Sequence, residues 1–280
     1  MAEILNFAAM QMANKSGILV ENIALKSAFL GREVKIDLYQ PGNMAVTAPV
    51  PLLLINDGQD MEKLGLQSML DGLCVEKKII QPILCAAIHC GTERKREYGV
   101  AAEADYKGRG DKSSLYTSFI LEELIPLLAE KYKTIGFNEM AFAGFSLGAL
   151  SALDIVWNNP AVFSKAGLFS SSLWWRSVDQ HHPDYDDDRH RIMHQQVRLG
   201  HYAPALKFFF QCGNLDETKD RNNNGIIDSI DDTLDMIKEL KAKGYRDGED
   251  ISYLELKDGH HDVFTWGRAM PEFLKWGWGK

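Results

Sequence analysis

The residues best suited to chemistry are five consecutive ones, Gly144-Phe145-Ser146-Leu147-Gly148. They follow an apolar run over 140–143 that predicts a strand and lead into a run over 149–153 that predicts a helix. A serine between two glycines at such a junction is typical of a nucleophile elbow, a strained turn that exposes the hydroxyl beside the first helical N–H groups. Glycines are needed because neighbouring backbone passes close by. The chemistry predicted is nucleophilic attack by Ser146 on an acyl group.

A serine nucleophile needs a histidine base and a carboxylate that orients this base. Two later loops contain these residue types in the order acid, then histidine. The loop after the predicted strand with three consecutive phenylalanines contains Asp216 and Glu217, and the loop after the last predicted strand contains His260 and His261. Both loops follow strand ends of the kind where open α/β sheets bind ligands. Asp216 is preferred because it lies nearer the strand end, Glu217 is the alternative, and the spacing leaves both histidines open.

The tetrahedral intermediate of acyl transfer needs two N–H donors. The backbone of Leu147, directly after the nucleophile, is expected to supply one of them. The loop Asp57-Gly58-Gln59 follows a buried strand predicted over 52–55 and is positioned to supply the other. The same dipeptide, Asp57-Gly58, is also a common turn signal.

Apolar strands alternate with helices along the chain and predict the elements that position these residues. An N-terminal hairpin is expected to run from Ala28–Leu30 through a Gly31-Arg32 turn into the strand that contains Val34, Ile36 and Leu38. Further strands are predicted over 52–55, 83–88, 140–143, 166–170, 206–212 and 251–256, and helices over 61–74 (ending at Asp71-Gly72), 113–131 (kinked at Pro126), 149–153, 228–243 and 264–276. The expected fold class is α/β, a mainly parallel central sheet with helices on both faces. A single domain is expected over 1–280, with a possible cap-like insertion at 176–203 over the sheet edge.

The bulk properties exclude several classes of protein. The 280 residues carry a formal net charge of −8, which argues against nucleic-acid binding and against attachment to an anionic membrane. No apolar run reaches the length of a transmembrane helix, and no basic segment followed by an apolar one marks a signal peptide. The four cysteines match neither a zinc motif nor a disulfide framework. A cytoplasmic location is therefore expected.

A second constellation lies just after the acid loop, over 220–231. Oxygen-bearing side chains recur at positions 1, 3, 5, 9 and 12 of this segment, with glycine at position 6 and a backbone carbonyl at position 7, as in an EF-hand-like calcium loop. The predicted ligands are Asp220, Asn222, Asn224, Ile226 (through its carbonyl), Asp228 and Asp231. Two departures are Asp231 in place of a bidentate glutamate and a preceding strand in place of a helix. The alternative is an Asn-rich turn with Ser229 capping the next helix. The hypothesis is a structural calcium ion that stiffens the loop of Asp216, with no organic cofactor.

From Val34 to Trp276 the chain resembles the putative-esterase (esterase D-like) family of α/β-hydrolases, which includes enterochelin esterases, feruloyl esterases, S-formylglutathione hydrolases and mycolyltransferases. The resemblance rests on the elbow and on several further motifs. These are the segment 54–60, similar to the family's LDGQ loop, Arg94-x-x-Glu97-Tyr98, Phe119-x-x-x-Glu123-Leu124-Ile125-Pro126, Ser170-x-x-x-Trp174-Trp175, Gly213-x-x-Asp216 and His261-Asp262-x-x-x-Trp266.

The resemblance implies roles for particular residues. The family's catalytic histidine precedes a tryptophan by about five positions, which selects His261 over His260, where the family usually has glycine. The Gly-x-x-Asp pattern supports Asp216, and the residue after Asp-Gly is an oxyanion-hole donor in relatives, which points to Gln59. Trp174 and Trp175 are expected to wall an acyl or aryl pocket, unless one of them is core packing.

The function expected from the residues and the resemblance together is a serine carboxylesterase. It would cleave a small-molecule ester or thioester through an acyl-serine intermediate, on an α/β-hydrolase fold. An acyltransferase on the same scaffold, in which an alcohol replaces water, is the nearest alternative. A non-catalytic calcium-dependent binding module is the alternative from another class, and it would require a broken triad.

Overall fold

The computed structural model describes residues 17–42, 48–77 and 79–280. Within these residues, eight strands form one sheet in the order β1-β2-β4-β3-β5-β6-β7-β8. The first two pairs, β1 with β2 and β2 with β4, are antiparallel, and every pair from β4 to β8 is parallel. The strands are β1 Ile18–Ser27, β2 Arg32–Pro41, β3 Val50–Asn56, β4 Leu84–Ile88, β5 Phe137–Phe145, β6 Lys165–Phe169, β7 Lys207–Leu215 and β8 Ile251–His260. The predicted mainly parallel α/β architecture is confirmed.

Helices cover both faces of this sheet because alternate residues of each buried strand face opposite sides. Leu52 and Leu54 of β3 lie in one hydrophobic cluster, whereas Leu53 and Ile55 lie in the other. The first cluster includes residues of α4, α5, α6, α8 and α9, and the second includes residues of α1, α2 and α10. The helices are α1 Met61–Leu64, α2 Leu66–Leu70, α3 Arg94–Glu97, α4 Ser113–Ser118, α5 Ile125–Lys131, α6 Leu147–Asn158, α7 Asp187–His190, α8 Ile192–Leu199, α9 Asp228–Lys243 and α10 Val263–Trp278.

Two predicted helices are interrupted. The helix predicted over 61–74 breaks at Gly65, whose φ is 80°, and continues past Gly72 as a wide π-helical turn to Glu76. The predicted end at Asp71-Gly72 is therefore wrong, because burial of Leu73 and Cys74 extends the helical backbone beyond the glycine.

The helix predicted over 113–131 contains a second wide turn, over Phe119–Leu124. Pro126 follows this turn as the second residue of α5. Proline has no N–H to donate and its ring crowds the preceding turn, so a locally wider helix accommodates it inside a longer helical segment.

Three strand boundaries differ from the predicted ones. The residues Ala28–Leu30, predicted as strand, form the turn between β1 and β2, and the first hairpin strand lies before them. At the other edge, β7 continues to Leu215 and β8 to His260, and these two residues pair across an irregularity in the register. The predicted acid and the predicted histidine therefore come directly after their strands.

The segment predicted as an insertion contains the short helices α7 and α8. Arg191, between them, is buried and donates to Asp232 of α9 at 2.8 Å and to Asp235 at 2.7 Å. This ion-paired contact joins the insertion to the helix that follows the acid loop. No helix in the described part of the chain is both long and apolar enough to cross a membrane.

Candidate active site

The elbow lies between β5 and α6, where the sequence predicts it. Ser146 has φ 55° and ψ −120°, a backbone conformation that is uncommon for a residue with a side chain. A Cβ added at Gly144 would collide with the Gly148 carbonyl and come within 2.8 Å of the Ala149 nitrogen. Strand and helix therefore touch at a distance that only glycine permits.

The Ser146 side chain is partly exposed at this turn. Its nearest hydroxyl neighbour is Ser172, with 3.4 Å between the two Oγ atoms. The Ser172 N–H also donates to the Ser146 carbonyl at 3.1 Å. Ser172 therefore belongs to the site. From this segment, the sequence predicts a role only for Trp174 and Trp175.

The two expected oxyanion donors flank the elbow. Asn56, at the end of β3, donates from Nδ2 to the Gly148 carbonyl at 2.7 Å and so fastens the loop of Gln59 to the start of α6. Gln59 lies in a single 3₁₀ turn and Leu147 is the first residue of α6. Among the described residues no backbone carbonyl accepts a hydrogen bond from either N–H. Two donors are thus available beside Ser146.

Asp216 follows β7 and is partly buried. Its Oδ2 accepts a hydrogen bond from the Gly213 N–H at 3.0 Å, whereas its Oδ1 is buried without a partner among the described residues. Burial raises the pKa of Asp216, and the Gly213 N–H opposes this shift. An unpartnered buried carboxylate oxygen is a strong acceptor that lacks its donor.

Burial also raises the pKa of Glu217, the alternative acid. This side chain lines a cavity together with Trp174.

His261 follows β8 and is exposed at the mouth of the site, with its ring edge against Trp266 at a centroid distance of 5.3 Å. The indole of Trp266 donates to Ser170 Oγ at 3.0 Å and stacks on Phe145, the residue before the nucleophile, at 5.1 Å. Trp266 therefore contacts the histidine, the elbow and the end of β6. This accounts physically for the histidine–tryptophan spacing.

The pKa of His261 is lowered because the site withdraws part of its hydration. The Asp216 carboxylate opposes this shift, and the Arg94 guanidinium adds to it. A lowered pKa keeps the imidazole neutral near pH 7, as a general base requires. The neighbouring His260 is exposed, and its backbone N–H donates to Thr265 Oγ1 at 2.9 Å.

Ser146, His261 and Asp216 all lie at the C-terminal edge of the sheet, after β5, β8 and β7 respectively. In the described part of the chain no direct hydrogen bond or ion pair joins any two of them. The Asp216 carboxylate nevertheless raises the pKa of His261, and the His261 charge lowers that of Asp216. Catalytic hydrogen bonds are often long in free enzymes and shorten when substrate binds.

The two expected pocket tryptophans have different environments. Trp175 is fully buried in the core, whereas Trp174 is partly exposed and lines a cavity of about 390 Å³. The Arg109 guanidinium lies over the Trp174 ring at 4.7 Å and donates to Asp105 at 2.7 Å. Only Trp174 is therefore placed to contact a ligand in this cavity.

Sequence reasoning assigned no role to the ion pair of Asp57 and Arg94. The Asp57 carboxylate is buried, and Arg94 donates to both of its oxygens, from Nε and from Nη2, at 2.6 Å each. Asp57 immediately precedes the glycine of the oxyanion loop. The only available signal was Arg94 in the Arg-x-x-Glu-Tyr motif, which does not reveal its partner.

The residues predicted to bind calcium lie on one loop before α9. Asp231 Oδ2 accepts hydrogen bonds from the side-chain amides of Asn222 and Asn224, at 2.9 and 2.8 Å. The Asp220 carboxylate accepts from the Asn224 N–H at 3.1 Å and from the Gly225 N–H at 2.9 Å. The side chains at positions 1, 3, 5 and 12 therefore converge.

The other two predicted ligands lie differently. Asp228, at position 9, is held by Arg221, whose backbone N–H lies 2.8 Å and whose guanidinium lies 3.2 Å from its Oδ1. Ile226 donates its N–H to Asn224 Oδ1 at 2.8 Å. Across residues 17–42, 48–77 and 79–280, no three His, Cys, Asp or Glu side chains gather as a metal site.

The fold of this chain is similar to the folds of solved esterases and of a siderophore hydrolase. The chain is similar to the enterobactin esterase of Shigella flexneri at a TM-score of 0.67 and 18% identity, over 93% of this chain and 59% of that one. It therefore spans somewhat more than half the length of that relative. A siderophore hydrolase from Aspergillus nidulans (TM-score 0.66, 16% identity) and a ferulic acid esterase (0.69, 15%) are each covered over 98% of their length by 94% of this chain. No curated protein matches the chain.

The structural likeness at these identities establishes the α/β-hydrolase type of fold. A family model described as putative esterase matches residues 27–276, which is most of the chain. The family resemblance stated from the motifs is thereby confirmed. The chain belongs to the putative esterase family.

Proposed function

We propose that the protein is a serine carboxylesterase that cleaves a small-molecule ester or thioester through an acyl-serine intermediate. One observation carries the proposal: Ser146 occupies a strained turn at the C-terminal edge of the sheet, and the N–H groups of Leu147 and Gln59 have no carbonyl partner in the described part of the chain. This arrangement is what acyl transfer requires of a nucleophile and its oxyanion hole. The remaining roles follow from the positions of the acid and the histidine.

In the acylation step, Ser146 Oγ attacks the ester carbonyl carbon while the neutral His261 imidazole takes the hydroxyl proton. The carbonyl oxygen becomes an oxyanion that accepts hydrogen bonds from the N–H groups of Gln59 and Leu147. His261 then gives its proton to the departing alkoxide, which leaves as an alcohol. Water repeats the sequence on the acyl-serine and releases the acid.

Asp216 is assigned as the acid that orients His261. Its Oδ1 is free to accept the imidazole Nδ1–H, because only Oδ2 is engaged by Gly213. A carboxylate in this position selects the imidazole tautomer and stabilises the imidazolium that forms during attack.

The substrate is proposed to place its acyl or aryl part in the cavity that Trp174 lines. The cavity lies beside the acid loop, since Glu217 and Lys219 also line it. Aromatic side chains offer large apolar faces to such groups.

Hydrolysis of p-nitrophenyl esters of increasing acyl length tests the proposal. We expect the wild type to hydrolyse at least one member of the series, and Ser146→Ala to lose on the order of 10³-fold or more of kcat. Equal rates in the two proteins would overturn the mechanism. Addition of an acceptor alcohol, followed by product analysis, separates hydrolysis from acyl transfer.

A structural calcium ion in the loop 220–231 is proposed as well. The convergence of Asp220, Asn222, Asn224 and Asp231 supports it, because calcium prefers several hard oxygens around one point. The ion would stiffen the loop four residues after Asp216. Asp228 accepts a hydrogen bond from Arg221, so it is the ligand that must move to reach the ion.

Chelator-treated protein, melted with and without added CaCl₂, tests the calcium proposal. Saturation at about 100 times Kd stabilises by about 2.7 kcal/mol, which corresponds to a rise in Tm of roughly 5–10 °C. Asp231→Ala is expected to abolish this rise. An unchanged Tm of the wild type would count against the site.

A cytoplasmic location is also proposed. It is supported by four free cysteines among the described residues, three of them buried, since such thiols persist in reducing compartments. Cell fractionation with antibody detection tests it, and recovery outside the cytoplasm contradicts it.

A further inference from the structure

Arg94 is linked to three parts of the candidate site. It donates to both oxygens of the buried Asp57 at 2.6 Å each, and its Nη2 also lies 3.4 Å from the carbonyl of Phe145, the residue before the nucleophile. Its guanidinium lies 5.0 Å from the ring centroid of Tyr98, whose hydroxyl accepts the Asp57 N–H at 3.3 Å. A bidentate fork on a carboxylate fixes direction as well as distance.

The backbone that Arg94 holds is strained. Asp57 has φ 61° and ψ 46°, a left-handed conformation that costs an L-residue about 1 kcal/mol or more. The next residue, Gly58, has no space for a side chain, because a Cβ there would lie 2.6 Å from the Ala87 backbone. Such a conformation persists only where the surroundings determine it. The direction of the Gln59 N–H therefore depends on the backbone conformation of Asp57 and Gly58.

Alternative partners for the Asp57 carboxylate are weak. The Gln59 side chain lies 3.4 Å from its Oδ1 and also bonds to Asp60 and to the Cys90 N–H. A buried carboxylate without a cation carries a large desolvation cost. Loss of Arg94 would therefore release the turn, or leave an uncompensated charge next to the elbow.

We propose that Arg94 is a positioning residue, which through Asp57 aims the Gln59 N–H at the oxyanion of the reaction. The inference rests on the proposed serine esterase function and deepens it. Arg94 does not touch the reacting atoms in this assignment. It acts on the backbone of the oxyanion loop, and its charge also acts on the base.

The structure provides a matched control on the same short helix α3. Arg32 donates to both oxygens of the buried Glu97, at 2.7 and 2.6 Å, so this is a second bidentate pair on a buried carboxylate. In the described part of the chain, neither Arg32 nor Glu97 forms a hydrogen bond with Ser146 or with residues 57–59. The variants Arg94→Met and Arg32→Met therefore remove equivalent pairs, and only the first is expected to affect the chemical step.

The experiment measures kcat and KM for the best p-nitrophenyl ester, with urea unfolding for each variant. We expect Arg94→Met to lower kcat by about 10²- to 10³-fold with KM within about threefold, the size of effect seen when one oxyanion donor is lost. Arg32→Met is expected to keep kcat within about threefold of wild type despite a similar loss of stability. Arg94→Lys keeps the charge without the fork and is expected to regain only part of the rate.

A pH profile separates positioning from general stabilisation. The charged groups that act on His261 are Asp216, Asp262 and Arg94, so removal of the Arg94 cation is expected to shift the acid limb of kcat/KM to higher pH. If Arg94→Met does not fold, Arg94→Lys provides the kcat measurement instead. A kcat within threefold of wild type in the folded variant, or equal losses in Arg94→Met and Arg32→Met, overturns the inference.

The Ser146→Ala variant separates a failure of the proposed function from a failure of the role of Arg94. If it retains wild-type activity, the proposed function fails. If it is inactive while Arg94→Met is unaffected, only the role of Arg94 fails.

Discussion

Close backbone packing at glycines occurs on both sides of the candidate site, at Gly144 and Gly148 and again at Gly213 and Gly259, but the side-chain contacts of the two sides differ. Around Ser146, glycines permit strand and helix to touch, and Asn56 ties the oxyanion loop to α6. Across the site, the Asp216 carboxylate accepts a hydrogen bond from the Gly213 N–H, the Asp216 N–H donates to the Gly213 carbonyl, and His261 rests edge-on against Trp266. The N–H groups proposed to bind an oxyanion thus belong to backbone that is tied to its neighbours. The imidazole proposed to carry the proton has fewer side-chain contacts.

The most severe test of this difference is Gly144→Ala. The added Cβ would collide with the Gly148 carbonyl, which is backbone of the same elbow and has no room to move. We expect loss of soluble protein or of all esterase activity, with destabilisation of about 3 kcal/mol or more. Circular dichroism and urea unfolding measure it.

Gly72→Ala is the control for that substitution, since a Cβ at Gly72 meets nothing within 4 Å. We expect its stability to stay within about 0.5 kcal/mol of wild type. A stable and active Gly144→Ala enzyme would show that the elbow is not held as tightly as we infer.

The acid–histidine side is tested by Asp216→Asn beside Glu217→Gln. Asparagine keeps the size of the side chain but removes the charge that orients and stabilises the imidazolium. We expect kcat to fall on the order of 10³- to 10⁴-fold for Asp216→Asn and by less than about threefold for Glu217→Gln. A larger loss in Glu217→Gln would transfer the role of acid to the neighbouring residue.

A fall in pH is expected to lower the free energy of unfolding through His194 of α8, which contacts α9, the helix after the loop of Asp216. This buried ring contacts the Asp232 carbonyl at 2.8 Å, and burial lowers its pKa to about 3. The unfolded chain binds a proton at this histidine below about pH 6.5, whereas the folded chain does not, so stability falls as pH falls. At about 1.4 kcal/mol per pH unit, the loss from pH 6.5 to 5 reaches about 2 kcal/mol.

Urea unfolding at several pH values checks this expectation. His194→Gln removes the titrating group and is expected to flatten the dependence between pH 6.5 and 5. The exposed His201, changed to Gln, is expected to leave it unaltered. Parallel curves for wild type and His194→Gln would contradict the assignment.

The smallest expected effect concerns the pocket beside the acid loop. Trp174→Ala removes an aromatic face from the cavity, so we expect KM for p-nitrophenyl benzoate to rise by about five- to tenfold. The corresponding acetate, whose acyl group has no aromatic ring to contact the indole, is expected to change by less than about twofold. Equal changes for both esters would place the acyl group elsewhere.

The features predicted from sequence are those that depend on neighbours along the chain. The strand–Ser146–helix junction is such a case, because a glycine at each side and two periodic runs are local signals. The order of the acid and histidine loops was also readable, since each follows an apolar strand. The ends of these strands were not, because β7 and β8 extend each other by pairing through Leu215 and His260.

Features that depend on distant partners escaped prediction. Arg94 and Asp57 are 37 residues apart, and only the folded sheet shows that they pair. The same holds for Ser170, which accepts the indole N–H of Trp266 from 96 residues away. The wide turn over Asp71–Glu76 was missed for a related reason, since its helical backbone is retained by burial against the sheet.

The position of β8 at the border of the sheet has a consequence for behaviour in concentrated solution. Apart from a bridge between its first residue, Ile251, and Asp247, this ten-residue strand pairs only with β7 among the described residues, so most of its outer row of N–H and C=O groups is open to another chain. The exposed charges of Glu255, Lys257 and Asp258 oppose the pairing of this edge with the same edge of a second copy. The strand that delivers the histidine thus also limits self-association, and replacing its charges with apolar residues would favour aggregation before it altered catalysis.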